Sequence, residues 1–94
     1  MVPRPKQVLV REPYCLDVLF DNGEYRRYDM SRLLHLPFYK RLKNHAIFET
    51  VKVRDITLEW ATGEDICPDE LYYNSIPLQS SNNLLTEPKP PGLQ

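Results

Sequence analysis

A chain of 94 residues and 11.1 kDa predicts a single domain, with too little length for a second one. Its 41% hydrophobic and 27% charged residues are a globular mix that excludes collagen-like or wholly disordered composition, and a unit this small has one thin core with no room for a deep substrate chamber. The net charge of −1 supplies no global field to hold a nucleic acid or an anionic membrane.

Along the chain, Lys6–Arg11 carries Val8 and Val10 two apart and is stopped by Glu12-Pro13, which reads as a strand running into a turn. From Tyr14 to Phe20 the residues Tyr14, Leu16, Val18 and Phe20 alternate with Cys15, Asp17 and Leu19, the period of a half-buried strand. Asp21-Asn22-Gly23 then tolerates positive φ, and Glu24 to Asp29 resumes an extended run. The stretch is a β-hairpin.

The period changes at Met30. Ser31 is placed as N-cap of a helical segment whose Leu33, Leu34, Phe38 and Leu42 recur at helical spacing. Pro37 removes a backbone bond in its middle, so two short helical pieces are expected up to Lys43. Asn44–Phe48 forms a further turn delivering Phe48 to the core, Val51 and Val53 alternate in a strand closed by Asp55-Ile56, and Thr57–Trp60 begins another. After the Ala61-Thr62-Gly63 turn and the extended Asp65-Ile66, Pro68 stands at the first position of a helix, where its missing donor costs nothing. Asp69 and Glu70 complement the positive end of that helix. From Ser75 the chain loses apolar content and gains Pro77, Pro88, Pro90 and Pro91. The boundaries read are one domain over 1–74 and a Pro-rich, flexible tail over 75–94.

Charge is divided unevenly. Met1–Arg54 holds eleven basic and six acidic residues, and Asp55–Gln94 one and seven. The two halves either fold against one another or show partners two oppositely charged faces. The cysteines, Cys15 and Cys67, are far apart, with neither a Cys-x-x-Cys nor a histidine at ligand spacing, so a zinc site is not expected. The N-terminal Met1–Lys6 leads into no apolar run of signal-peptide or membrane-span length, and a cytoplasmic, soluble protein with reduced thiols and no membrane partner is expected.

With these elements placed, the residues resemble domain-of-unknown-function family 2442, a set of small bacterial proteins. The resemblance covers about Val8 to Tyr72. It rests on the hairpin Leu16–Glu24, the entry Asp29-Met30-Ser31-x-Leu33-Leu34, Phe38 and Leu42, and the Phe48-x-x-Val51 step. Its closing signature is Trp60, Gly63, Asp65, Ile66, Pro68, Leu71 and Tyr72. The resemblance implies a small α+β unit of meandering strands and short helices, with no assigned catalytic or ligand-binding residue. It also implies a setting beside other small proteins, in arrangements suggestive of toxin and antitoxin pairs. Two departures stand out: Cys67 occupies a position where the family tends to have Ser or Asp, and Arg27 one where it is often β-branched, which makes one edge of the sheet more polar.

The residues themselves name no enzyme. Cys67, His35 and His45 have no spacing that pairs a nucleophile with a base, and each is read as structural or surface. Asp65 is read as a cap for the amides at the start of the Pro68 helix, and Trp60 as core. Arg26, Arg27, Arg32, Lys40, Arg41 and Lys43, interleaved with Tyr25, Tyr28, Phe38 and Tyr39, form the one arrangement resembling a nucleic-acid footprint. Tyr25 or Tyr28, and Phe38, are claimed by the core.

The fold expected is α+β: a small antiparallel meander of four to five strands with two or three short helices, the Pro68 helix closing an edge. Its core is Leu16, Val18, Phe20, Leu33, Leu34, Leu42, Phe48, Val51, Trp60, Ile66 and Leu71. The function expected is a non-enzymatic protein-interaction module, self-associating or pairing with a small neighbour, with no cofactor, metal or catalytic residue. A nucleic-acid accessory using Arg26–Lys43 is the second reading.

Overall fold

The structure is a computed structural model, and it describes residues 1–78. Strand β1 spans Pro5–Arg11, β2 Cys15–Phe20 and β3 Tyr25–Asp29. Two 3₁₀ segments, Met30–Arg32 and Pro37–Lys43, lead to helix α1, His45–Phe48. A small hairpin follows, β4 Lys52–Arg54 and β5 Thr57–Glu59, then helix α2, Pro68–Tyr73, and strand β6, Ile76–Pro77. The larger sheet is antiparallel throughout in the order β1-β2-β3-β6, and β4-β5 forms a separate two-stranded sheet. This is the small α+β fold expected from the sequence.

The central hairpin turns where the sequence says it should. Gly23 has φ of +91°, and the Asn22 side chain accepts a bond from the Glu24 amide at 3.0 Å. Register does the rest: Val18 faces Val8 and Arg26, and Leu16 faces Val10 and Tyr28. One face of β2 therefore carries Leu16, Val18 and Phe20 into the core with Tyr28, Leu34, Leu42, Phe48, Trp60, Ile66 and Leu71. Met30 and Leu58 are buried with them although the sequence reading left both out. Leu33 and Val51, expected inside, are half-buried and pack against the outside of this cluster. Phe38 is exposed. The two helical pieces are 3₁₀, so the α-helical spacing that aimed Phe38 inward does not apply; its neighbour Tyr39 faces the protein and donates to the Asp65 carbonyl at 2.9 Å.

Capping also differs. The N-cap of the first 3₁₀ segment is Asp29, not Ser31: the Asp29 carboxylate accepts from the Ser31 amide at 3.0 Å and its hydroxyl at 2.6 Å. Pro68 does open α2, as its fixed φ favours. Asp65 does not bond the free amides there; it bridges Glu59 through the backbone, and its side chain is exposed. Cys67, at the N-cap position, makes no side-chain cap bond. Cys67→Ser is accordingly expected to stabilise the domain by about 0.5–1 kcal/mol, read as a higher urea midpoint at unchanged slope, because a hydroxyl accepts what a thiol there leaves unbonded.

Regular structure continues past the expected boundary at residue 74. Ser75 is buried, and Ile76 and Pro77 pair with Arg27 and Arg26. Strand β6 is thus the edge beyond β3, which makes β3 an interior strand and corrects the reading of Arg27 as an edge residue. The tail reading for 79–94, including Pro88, Pro90 and Pro91, lies outside the described residues.

The uneven charge is resolved by folding. Four ion pairs join the basic half to the acidic one: Arg4 to Asp55 at 4.0 Å, Arg32 to Glu70 at 3.7 Å, Arg41 to Glu64 at 3.7 Å and Arg54 to Glu59 at 3.3 Å. Of the two outcomes the sequence leaves open, the halves fold against one another.

Candidate functional site

The face of the larger sheet opposite the core carries Gln7, Leu9 and Arg11 from β1, Cys15, Asp17 and Leu19 from β2, Tyr25, Arg27 and Asp29 from β3, and Ile76 from β6. Strand alternation puts them there, because their neighbours Val8, Val10, Leu16, Val18, Phe20 and Tyr28 point inward. Register aligns Leu9, Asp17, Arg27 and Ile76 in one row across all four strands. Its middle is unusual: the Asp17 side chain is 2% exposed on what should be a solvated face. Two guanidiniums cover it. Arg27 donates through Nε at 2.6 Å and Nη2 at 2.9 Å, and Arg11 through Nε at 3.0 Å from the other side.

A buried carboxylate holding two arginines leaves a net charge of +1, and both arginines remain open to water, their side chains 54% and 41% exposed. The bidentate contact raises the Arg27 pKa further above its ordinary value, so Arg27 keeps its own charge. At the ends of the row Leu9 and Ile76 are 51% and 65% exposed. Leu19 and Tyr25 lie half-buried in the next row. Two guanidiniums with free donors, flanked by uncovered aliphatic side chains, make a surface that can accept an acidic group set among apolar ones.

The six basic residues singled out in the sequence are not one patch. Arg26 and Arg27 are successive strand residues and point to opposite faces. Arg26 is held inside the protein: it donates to the Ser75 hydroxyl and carbonyl, each at 2.7 Å, and lies 4.7 Å above the Tyr72 ring. Arg32 and Arg41 face Glu70 and Glu64, and Arg27 faces Asp17. Lys40 and Lys43 are exposed and have no ion-pair partner among the described residues. Of the aromatic residues interleaved with them, Tyr28 is buried, Tyr25 and Tyr39 are half-buried and Phe38 is exposed. Sequence reasoning missed Arg11 and Asp17. Their signal was Asp17 standing opposite the core period of its strand, but only the pairing of three strands brings an arginine to each side of it.

The closing signature is structural. Trp60 is buried, Gly63 turns at φ +98°, and Ile66 and Leu71 are core. Tyr72 packs edge-on against Phe20 at 5.2 Å and donates to Glu24, a bond that raises the Tyr72 pKa and lowers that of Glu24. Tyr28, fully buried, donates to Glu70 at 2.6 Å, and burial followed by this bond pushes its pKa well up. Burial, then Asp29, likewise raises the Cys15 thiol, which disfavours the thiolate. Cys67 is exposed and free, and His35 is exposed. No helix among the described residues is long and apolar enough to cross a membrane.

Fold and surface together define a small α+β domain with an open, charged sheet face. Residues 5–77 match the family described as a protein of unknown function, DUF2442. The chain belongs to that family. No curated protein and no solved structure matches it.

Proposed function

We propose that the protein is a non-enzymatic interaction module whose open sheet face docks a partner protein. The observation that carries this reading is the row Leu9–Asp17–Arg27–Ile76, in which exposed aliphatic side chains flank a carboxylate clamped by Arg11 and Arg27. Two arginines locked by a shared carboxylate lose little further entropy on binding, which favours them as anchors. Charge complementarity selects an acidic partner surface, bordered by apolar residues that meet Leu9 and Ile76. The pairing of Arg32 with Glu70 and of Arg41 with Glu64, and the burial of Arg26 against Ser75, favour this reading over a nucleic-acid footprint spread along 26–43, since paired or buried charges release few counterions from a phosphate backbone.

The test is co-purification of the full chain from its native host, with a Leu9→Glu/Ile76→Glu variant in parallel. Both positions are exposed, and an unchanged urea midpoint checks that the variant folds, since Leu9 stands opposite Asp17 and Ile76 opposite Arg27. The partner retained by the wild type is expected to bind the variant at least about tenfold more weakly, as loss of interface anchors costs about 1–2 kcal/mol or more. Equal retention by both would sink the reading. Retardation of DNA or RNA at low salt, lost on charge reversal at Lys40 and Lys43, would replace it with the nucleic-acid one.

A further inference from the structure

At the end of the molecule where β1 turns into β2, three metal-ligating side chains converge: Glu12 from the turn, and His45 and Glu49 from the beginning and end of the α1 turn. One ligand atom from each lies within 4.8 Å of the other two, and the His45 Nε2 to Glu12 Oε1 distance is 3.7 Å. His45 and Glu49 are four residues apart, so one helical turn stacks them on the same side.

Two further observations separate this cluster from ordinary surface acids. The His45 ring is held: it packs on Tyr14 with ring centroids 4.7 Å apart, Tyr14 itself sits edge-on to Phe48 at 5.2 Å, and its hydroxyl donates to the Lys43 carbonyl. A ring held by packing presents its nitrogen in one orientation, as a metal site requires. Second, the acids are uncompensated. Asp17, Glu24, Asp55, Glu59, Glu64 and Glu70 each face an arginine, whereas among the described residues Glu12 and Glu49, like Asp21, Asp29, Asp65 and Asp69, face no Lys or Arg; of these six, Glu12 and Glu49 are the two gathered with an imidazole. Two carboxylates gathered without a Lys or Arg repel one another or leave the space for a metal cation.

We infer that Glu12, His45 and Glu49 form a site for a divalent transition metal, with zinc as its best-fitting occupant. One nitrogen and two carboxylate oxygens are donors that zinc accepts at about 2.0–2.2 Å, and tetrahedral geometry then sets neighbouring ligand atoms about 3.4 Å apart. The His45–Glu12 separation of 3.7 Å is close to that already. Glu12 and Glu49 are exposed and closing the remaining distance needs only their rotamers. The imidazole disfavours magnesium and calcium, which prefer all-oxygen sets. With three protein ligands the fourth position stays open to water or to a side chain of a partner. The proposal uses none of the residues of the Leu9–Asp17–Arg27–Ile76 row and is independent of how that row is used.

The test is titration of the full chain with zinc sulfate alone, followed by amide NMR and a competing chelator. Zinc is expected to bind one to one and to move the resonances of Glu12, His45 and Glu49. His45→Ala and Glu49→Gln are each expected to weaken binding at least about tenfold, since loss of even a supporting partner of a metal ligand costs about 10–100-fold. His35→Ala and Cys67→Ser are expected to leave it unchanged. Glu49 is exposed at the end of its helix, so its variant reports on the site even if the alanine at position 45 disturbs the Tyr14 packing. No shift at these residues up to millimolar zinc, binding unaffected by Glu49→Gln, or binding lost with Cys67 would each overturn the assignment.

Discussion

Trp60→Ala is expected to destabilise the domain by about 3–5 kcal/mol, the range for removing a fully buried large aromatic side chain. A domain of this size has about 5–15 kcal/mol in total, so the variant stands at or near the threshold of folding. The indole is 1% exposed, lies nearly parallel to Phe48 with centroids 6.0 Å apart, and donates from Nε1 to the Phe48 carbonyl at 2.9 Å. That bond satisfies a carbonyl at the end of α1 while the Trp60 backbone closes the turn to Glu64. One residue therefore ties α1, the Gly63 turn and the core together. Trp60→Phe keeps most of the volume and loses the bond, and a cost of about 1–2 kcal/mol is expected from the unpaired carbonyl and the smaller ring. Urea unfolding measures both. A loss below about 1 kcal/mol for the alanine variant would mean that the indole does not hold the fold and is free for recognition.

The features legible in the sequence are those fixed by neighbours along the chain. A period of two, an Asn-Gly reversal and a proline at a helix start are each decided within a few residues, and the hairpin, the Pro68 helix and most of the core follow from them. Ser31 and Asp29 compete for the same capping position two residues apart, and the longer reach of the carboxylate in its extended backbone settles it for Asp29. Phe38 was misjudged because the type of helix, not its existence, decides which way that residue faces. Strand β6 could not be read at all. A two-residue strand containing a proline has no periodicity, and it exists because β3 offers an edge and because Ser75 is anchored by Arg26.

The candidate site failed to declare itself for the same reason. Leu9, Asp17, Arg27 and Ile76 are spread over 68 positions of sequence and meet only through the register of three strand pairs. Asp17 alone carried a hint, being the one charged residue inside its strand, but a lone acid between hydrophobic neighbours reads most simply as the solvated face. The triad Glu12, His45 and Glu49 was half visible: the four-residue spacing of the last two is local, whereas Glu12 comes from a turn on another element.

Arg27→Ala is expected to cost about 3 kcal/mol, at the low end of the range for breaking a buried pair by removing one partner, since Arg11 keeps one bond to Asp17. Asp17→Ala, which removes the other partner of the same pair, is expected to cost only about 1 kcal/mol. The asymmetry comes from exposure. A carboxylate 2% exposed cannot recover water when its guanidinium goes, while guanidiniums 54% and 41% exposed are solvated as soon as the carboxylate goes. The double variant Asp17→Ala/Arg27→Ala is then expected to be no worse than Asp17→Ala alone, a coupling of about 3 kcal/mol at the upper end of the range for residues in one network. Equal and additive losses would show that Asp17 is not the buried charge the structure makes it. The same variants separate scaffold from docking. Asp17→Ala raises the cluster charge from +1 to +2 but frees the two arginines, and is expected to hold an acidic partner within a few-fold of the wild type because the added charge offsets the lost preorganisation, whereas Arg27→Ala weakens both stability and binding. A partner that leaves with Asp17 as readily as with Arg27 would be recognising the shape of the sheet rather than its charge.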